Sequence, residues 1–315
     1  MLSDFPPDWL RLLALLNGLL WGSFINVVIH RLPRGQSLVR PGSHCPACGV
    51  PIRAYDNIPL LSWLWLRGRA RCCRAPISPR YPLVEAMGGL LSLGVLQVAV
   101  LTLPPSSPAG LGLAVYIADF SLALGLVAAA FIDLEHMIVP DSVSLGGTIV
   151  GLLTFSFRGM GIEDGLIGGA IGFVILWLPF DVLYAKLRGA PGMGRGDAKL
   201  LMLAGAWFGW RGALFVLGAA AIQGTIATFT LMAVRGRIEE PEAVRRERAQ
   251  MLAELQALPP EERAQAEAEW RRDPLAAPPE ARWGKARIAF GPFLALGTLE
   301  TLLLGPQRIL DWLAP

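Results

Sequence analysis

Long apolar stretches constrain this sequence more than any other feature. A helix needs about 20 mostly apolar residues to cross a bilayer, and stretches of that kind recur along the 315 residues. Because 53% of the residues are hydrophobic and only 17% are charged, the composition excludes an ordinary soluble enzyme. The pattern predicts an all-α polytopic membrane protein with about eight transmembrane helices, at residues 9–29, 83–103, 111–132, 142–158, 164–185, 198–210, 212–234 and 288–304.

The boundaries of these stretches divide the chain into five parts. They are a first transmembrane helix (1–29), a cytoplasmic basic domain that contains the cysteines (30–82), a membrane core of helices two to seven (83–234), a charged helical insertion (235–287), and the last helix with the C-terminus (288–315). The insertion contains 11 Lys or Arg and 11 Asp or Glu residues, and its Pro259-Pro260 break predicts two amphipathic helices. A solvated spacer and a docking site for partner proteins both remain open interpretations of it.

Basic residues in the loops predict the orientation in the membrane. Residues 30–80 contain nine arginines and a single acid, Asp56, and loops rich in Arg and Lys stay in the cytoplasm. We therefore expect both termini to lie outside the cytoplasm. The end of the third helix and the start of the sixth are then expected at the cytoplasmic face. Attraction to anionic lipid headgroups is a second role expected of these arginines.

Two aspartates, Asp133 and Asp197, mark those two cytoplasmic helix ends. An aspartate that opens a helix is ordinarily an N-cap, which stays an open interpretation for Asp197 and is the one expected for Asp141. Asp133 instead ends an apolar helix, where a carboxylate opposes the helix dipole, so we expect another role for it. His136, one turn further on, is expected to be an exposed loop residue rather than a metal ligand.

Two carboxyl groups that share a site are suited to peptide hydrolysis. One stays protonated and polarises the scissile carbonyl, while the charged one takes a proton from water. Gly194 and Gly196, beside Asp197, are expected to let a substrate backbone approach closely. Glu85 and Asn26 are polar residues inside predicted helices, and they fit either helix–helix hydrogen bonding or a functional role such as substrate approach by Glu85.

Seven sequence blocks occur in an order that resembles the type IV prepilin peptidases, which are membrane aspartic peptidases with a Gly-x-Gly-Asp signature. The blocks are GSFINVVIHRLP (22–33), CPACG (45–49), NIPLLSWLWLRGR (57–69), PISPRYPLVE (76–85), IDLEHMIVPD (132–141), GMGRGDAKLL (192–201) and AFGPFLALG (289–297). The resemblance covers almost the whole chain, and it agrees with the topology predicted from the apolar stretches.

This resemblance implies a bifunctional enzyme of the bacterial inner membrane. Such enzymes remove the basic leader from prepilins and pseudopilins at the cytoplasmic face, and then methylate the new N-terminal residue with S-adenosylmethionine. The resemblance implies that the two catalytic aspartates of the family correspond to Asp133 and Asp197 of this sequence. The partners implied are these substrates, membrane lipids and the assembly proteins of a pilus or a type II secretion system, and no nucleic acid is expected. The residues alone do not suggest methyl transfer, because the sequence lacks a glycine-rich strand–helix motif of the Rossmann kind.

The cysteines depart from the family pattern. Many members carry two Cys-x-x-Cys pairs in the first cytoplasmic loop, a spacing typical of a tetrahedral zinc site. Here Cys45 and Cys48 form the first pair, but Ala70 stands where the third cysteine is expected and Cys72 directly precedes Cys73. Adjacent cysteines reach one metal only with a strained backbone, and structural disulfides are disfavoured in the cytoplasm. We expect zinc bound by the four cysteines, with a loop that folds without metal as the alternative.

Two other functions compete with the leading one. A leader peptidase without methyltransferase activity becomes the alternative if the altered cysteine loop supports the methylation site. A transporter or a membrane zinc sensor belongs to a different class, in which Asp133 and Asp197 bind a cation or relay protons. Transporters are commonly built from repeated halves with broken helices, and the sequence contains no matching pair of halves.

Overall fold

A computed structural model describes residues 1–188, 192–236, 240–270, 275–276 and 288–305 of the chain. Within these ranges the fold is all-α and contains no β-strand, which confirms the predicted class. The helices are α1 (Pro7–Arg31), α2 (Leu61–Trp65), α3 (Arg80–Val95), α4 (Ala109–His136), α5 (Asp141–Leu153), α6 (Ile162–Leu176), α7 (Tyr184–Arg188), α8 (Arg195–Arg235), α9 (Glu242–Ala257), α10 (Pro260–Trp270) and α11 (Gly291–Leu304).

Among the described residues, five helices are long and apolar enough to cross a membrane, at Pro7–Arg34, Arg80–Val100, Ala109–His136, Ile162–Leu187 and Arg195–Arg235. The helices α5 and α11 are apolar but shorter. The longest helix, α8, contains both the sixth and the seventh predicted segments. It is interrupted at Gly209, whose φ of 69° and ψ of −178° lie outside the helical region and suit glycine. The break therefore lies two residues before residue 211, the boundary between the sixth and the seventh predicted segments.

Glycines bring α1 and α3 together in the first of two compact units, which comprises Met1–Ala128 and Leu302–Gly305. A Cβ atom on Gly22 would lie 2.8 Å from the Cα of Glu85, and one on Gly89 would lie 3.0 Å from the Leu19 side chain. Small residues allow membrane helices to approach this closely. The packing places Glu85 beside the turn of α1 that leads to Asn26.

The second compact unit comprises Ala129–Thr301 of the described residues, and its centre is the first half of α8. Trp207 is fully buried, and its indole N–H donates to the Gly147 carbonyl of α5 at 2.8 Å. A Cβ atom on Gly151 would lie 2.6 Å from the Trp207 ring, so a glycine makes room for the indole. This packing fixes the helix that begins with the Gly194–Asp197 segment.

The described part of the insertion contains the two helices α9 and α10, and Pro260 occupies the first position of the second helix. A buried ion pair between Arg248 and Glu240 anchors α9, and the Arg248 Nε donates to the Leu275 carbonyl at 2.8 Å. The insertion belongs to the second compact unit, whereas the cysteine-containing segment belongs to the first.

Candidate active site and metal site

Asp133 lies in the last turn of α4, and its side chain is buried, with the residue 5% exposed. The helix ends three residues later, at His136, because Met137 adopts a left-handed φ of 54°. The Met137 N–H donates to the Asp133 carbonyl at 2.9 Å. The Gly291 amide interacts with the Asp133 carboxylate. The Oδ2 atom of Asp133 is nevertheless buried and has no hydrogen-bond partner among the described residues. A buried acceptor without a partner costs free energy, so this oxygen marks a place for water or substrate.

Asp197 lies in the first turn of α8, within the same compact unit as Asp133. Val139 packs against both Gly196, next to Asp197, and Gly291, next to the Asp133 carboxylate. The helix begins at Arg195 with Gly194 as its N-cap, and no side chain caps it. The N-cap interpretation of Asp197 is therefore wrong, because this residue is the third of the helix. The structure brings together the two aspartates that are 64 residues apart in sequence.

Two glycines hold the backbone close to this pair. A Cβ atom on Gly291 would lie 2.6 Å from the Asp133 Oδ2, and one on Gly196 would lie 3.0 Å from the Val139 Cβ. Gly196 thus serves internal packing between the start of α8 and the segment after α4. Gly194 has open space beside it, because a Cβ atom there would meet no atom of the described residues within 4 Å. Of the two glycines that the sequence assigns to substrate approach, only Gly194 faces open space.

His136 is buried, contrary to the expectation of an exposed loop residue. Its imidazole Nδ1 lies 2.8 Å from the Glu247 Oε1 of α9, and the side chain is 3% exposed. The Nε2 atom is also buried and has no hydrogen-bond partner among the described residues. The sequence does not reveal this contact because it joins residues 111 positions apart.

Asp141 is not the helix cap that the sequence predicts. It is the first residue of α5, after Pro140, and no side chain caps this helix. Its Oδ1 accepts a hydrogen bond from the Lys199 Nζ at 2.6 Å. The ion pair ties the start of α5 to the first turns of α8, two residues beyond Asp197.

The four cysteines form one cluster in the first compact unit. Their Sγ atoms, from Cys45, Cys48, Cys72 and Cys73, all lie within 4.8 Å of one another. The Sγ atoms of Cys45 and Cys73 are 3.7 Å apart, and those of Cys48 and Cys72 are 3.3 Å apart. A zinc ion with Zn–S bonds of about 2.3 Å separates tetrahedral sulfur ligands by about 3.8 Å. The donor set and its spacing fit one zinc ion.

Two turns of the same design present these thiols. In the first, the Cys45 N–H donates to the Val50 carbonyl and the Cys45 carbonyl accepts the Gly49 N–H, both at 2.8 Å. In the second, the Ala70 N–H donates to the Ala75 carbonyl at 2.8 Å and the Ala70 carbonyl accepts the Arg74 N–H at 2.9 Å. Ala70 therefore occupies the place equivalent to Cys45, and Cys73 the place equivalent to Cys48. Cys72 supplies the fourth sulfur, so the vicinal pair is compatible with a single cluster.

The surroundings of the cluster favour a thiolate at Cys45. Hydrogen bonds from the backbone N–H groups of Ala47 and Cys48 lower the pKa of the Cys45 thiol to about 6. A hydrogen bond with Cys48 raises the pKa of the Cys72 thiol to about 12. Close by, the Arg71 guanidinium binds the Asp56 carboxylate through Nε and Nη2, and this pair holds the pKa of Asp56 below its usual value.

A cavity of about 860 Å³ opens beside the cysteine cluster, between α1 and the start of α3. Asn26 and Glu85 both line it. The Asn26 Nδ2 donates to the Tyr81 carbonyl at 3.1 Å, whereas its Oδ1 is buried and has no hydrogen-bond partner among the described residues. The Glu85 Oε2 accepts the Leu60 N–H at 2.8 Å. Asn26 of α1 thus contacts the α3 backbone, Glu85 of α3 contacts the amide that precedes α2, and both residues line the cavity.

Comparison with known proteins gives two family matches. Residues 16–99 match the bacterial peptidase A24 N-terminal domain, and residues 120–229 match the type IV leader peptidase family. The first range contains the cysteine cluster with Asn26 and Glu85, and the second contains Asp133 and Asp197.

Curated relatives span most of the chain. A prepilin leader peptidase/N-methyltransferase of Aeromonas hydrophila is 41% identical over 251 residues, which cover 71% of this chain and 81% of the relative. Proteins of the same name from Myxococcus xanthus (strain DK1622) and Stutzerimonas stutzeri are 36% and 38% identical, over 92% and 74% of this chain and 88% and 83% of theirs. No solved structure gives a significant match.

The fold describes a multi-pass helical membrane protein. With two family matches and relatives at this level of identity, the chain belongs to the type IV leader peptidase family.

Proposed function

We propose that this protein is a membrane aspartic endopeptidase that removes the basic leader from type IV prepilins or pseudopilins and then N-methylates the new N-terminal residue. Membership of the family and the names of the relatives support both activities. The observation that carries the peptidase assignment is that the segment of Asp197 and the buried Asp133, whose carboxylate has an oxygen without a partner among the described residues, both pack around Val139 and Gly291 in one compact unit.

The pair acts as a general acid and a general base in this proposal. Two neighbouring carboxyl groups do not both ionise readily, so one of them retains a proton. The charged carboxylate takes a proton from a water molecule, whose oxygen attacks the scissile carbonyl. The protonated partner donates its proton to the carbonyl oxygen as the tetrahedral intermediate forms. The carboxyl group that took the water proton then donates it to the leaving amine, the peptide C–N bond breaks, and a hydroxyl group of the intermediate returns its proton to the other carboxylate.

The open space beside Gly194 supports an approach for the substrate backbone to the start of α8. A residue without a side chain at this position leaves the backbone accessible. Gly196 is assigned to packing against Val139 instead.

The methylation step requires a methyl donor, and the N-methyltransferase named in the relatives implies S-adenosylmethionine. When bound, the donor supplies its methyl group to the neutral N-terminal amine. The transfer would form a C–N bond and break the methyl C–S bond, whose electron pair would stay on sulfur. The product ammonium then releases a proton to solvent.

We assign zinc to the four-cysteine cluster, where Cys45, Cys48, Cys72 and Cys73 would hold it. Four sulfur donors fit a closed structural zinc site, which leaves no coordination position for a substrate. The metal would join the two turns of the cytoplasmic segment and so hold the residues between them in place.

The location that fits this function is the bacterial inner membrane, with the aspartate pair at the cytoplasmic face and both termini outside. The nine arginines of residues 30–80 support this orientation. Assembly proteins of a pilus or a type II secretion system are the further partners that the assignment implies.

Mass spectrometry of a prepilin incubated with the purified full-length protein and S-adenosylmethionine tests the proposal. We expect the product to have lost its leader and gained one methyl group. Loss of the leader without methylation would reduce the function to that of a peptidase. A prepilin that stays intact with folded, full-length protein would contradict the proposed function.

A further inference from the structure

We propose that the cavity lined by Asn26, Trp63 and Glu85 is the binding site for the methyl donor S-adenosylmethionine. This inference rests on the methyltransferase activity proposed above, and it assigns that activity to a site in the first compact unit. The aspartate pair belongs to the second unit, and a methyl transfer needs no such pair.

The cavity has the size and composition of a small-molecule site. Its volume of about 860 Å³ falls in the range of roughly 300–1,000 Å³ that is usual for such sites. Apolar atoms make up most of its wall, and polar and charged side chains, among them Asn26, Arg31 and Glu85, are placed between them. An extended ligand with a nucleoside at one end and an amino acid at the other suits a cavity of this kind.

Asn26 provides the strongest evidence for a ligand. The residue is 3% exposed, lines the cavity, and has its Nδ2 fixed by the Tyr81 carbonyl at 3.1 Å. Its Oδ1 is left as a buried acceptor without a partner among the described residues. Buried polar atoms are nearly always hydrogen-bonded, so a donor is expected from outside the chain. The methyl donor carries two amino groups, one on adenine and one on its amino acid portion.

Glu85 supplies a negative charge to the same cavity. Its Oε2 accepts the Leu60 N–H at 2.8 Å, and the Ser23 hydroxyl also donates to the carboxylate. Leu60 adopts a φ of 60°, a strained conformation for leucine that turns its amide toward Glu85. These contacts fix the carboxylate in one position. S-adenosylmethionine has a positively charged sulfonium and an ammonium group, and either is attracted by a fixed carboxylate.

Trp63 adds an aromatic wall held in place by two contacts. Its indole N–H donates to the Ile77 carbonyl at 3.2 Å, and a Cβ atom on Gly68 would lie 3.1 Å from its ring. Aromatic faces stack on adenine and attract cations, including sulfonium ions. The cysteine cluster adjoins this wall, since Cys45 and Cys72 also line the cavity.

Calorimetric binding of S-adenosylhomocysteine and S-adenosylmethionine to the full-length protein in detergent tests this assignment. We expect Glu85→Gln to weaken binding of S-adenosylmethionine by about tenfold or more, the loss expected for one charge-assisted contact. Asn26→Leu, which keeps the branched shape of the side chain but removes its polar atoms, is expected to weaken the binding of both ligands. Asp8→Asn is the matched control, because Asp8 is an exposed carboxylate of α1 paired with Arg11, and we expect unchanged affinity.

If a variant does not fold, the assignment is tested by hydrogen exchange of the wild-type protein with and without ligand. S-adenosylhomocysteine is expected to slow exchange in residues 57–63, which include the Leu60 amide, and not in residues 132–141. Unchanged affinity in both folded variants, or protection confined to another segment, would overturn the cavity assignment. If the wild-type protein bound neither ligand, the methyltransferase part of the proposed function would fail together with this site.

Discussion

The imidazole of His136 lies 2.8 Å from the carboxylate of Glu247, so a helix of the charged insertion reaches the turn that carries Asp133. An Nδ1–H donated to Glu247 fixes the ring orientation and leaves the buried Nε2 as an acceptor when the ring is neutral. The insertion is therefore part of the unit that contains the aspartate pair, through a contact between α9 and the last residue of α4.

Replacing Glu247 should loosen α9. The Glu247 side chain is 55% exposed, so solvent weakens its hydrogen bond with His136. We expect Glu247→Gln to speed hydrogen exchange of amides in residues 242–257 by no more than about fivefold, which corresponds to roughly 1 kcal/mol. Glu242→Gln is the control, since Glu242 forms an ion pair with Arg246 on an exposed face of the same helix. Equal exchange in the two variants would mean that the His136 contact does not hold α9.

A side chain at position 291 should damage the aspartate pair. A Cβ atom there would lie 2.6 Å from the Asp133 Oδ2, so Gly291→Ala forces the carboxylate or the backbone to move. We expect the kcat of leader cleavage to fall by about 100-fold, because moving a catalytic group by about 1 Å lowers the rate by roughly this factor. Gly146→Ala is the control, because nothing among the described residues lies within 4 Å of a Cβ atom at that helical position. Comparable activities of the two variants would show that Asp133 tolerates the displacement.

Zinc binding lost by removing one cysteine of the cluster should be restored by a cysteine at position 70. Cys72→Ala removes one of four sulfur donors, and we expect the content of tightly bound zinc, measured by elemental analysis, to fall from one ion per chain. The double variant Ala70→Cys with Cys72→Ala should restore it, because Ala70 is equivalent to Cys45 in the hydrogen bonding of its turn. Zinc retained in the single variant, or not regained in the double variant, would contradict the equivalence of the two turns.

The membrane helices were predictable because each depends on a local run of apolar residues. The break in α8 also has a local cause, Gly209, although the sequence predicts it one or more residues later. The burial of His136 was not predictable, since it depends on a residue 111 positions away. The same holds for Asp141, which binds Lys199 instead of capping its helix.

The candidate site was predictable in its chemistry but not in its supporting contacts. Asp133 stands out because a carboxylate at a helix C-terminus is unfavourable by itself. Two features arise from packing, and the sequence does not predict them. They are the close approach of Gly291 to Asp133 and the buried Asn26 Oδ1 that has no hydrogen-bond partner among the described residues. The adjacent cysteines suggest backbone strain from sequence alone, whereas the geometry of the two turns brings all four sulfur atoms together.

The most direct test of the central claim is leader cleavage by Asp133→Asn and Asp197→Asn, each purified at full length and followed by mass spectrometry of a prepilin substrate. Asp164→Asn is the matched control, since Asp164 is an exposed aspartate in the first turn of α6. Because a shared proton needs both carboxyl groups, we predict that each of the first two variants loses at least about a thousandfold in rate while remaining folded. The control should cleave at the wild-type rate. Cleavage near the wild-type rate by either Asp133→Asn or Asp197→Asn would contradict the catalytic pair.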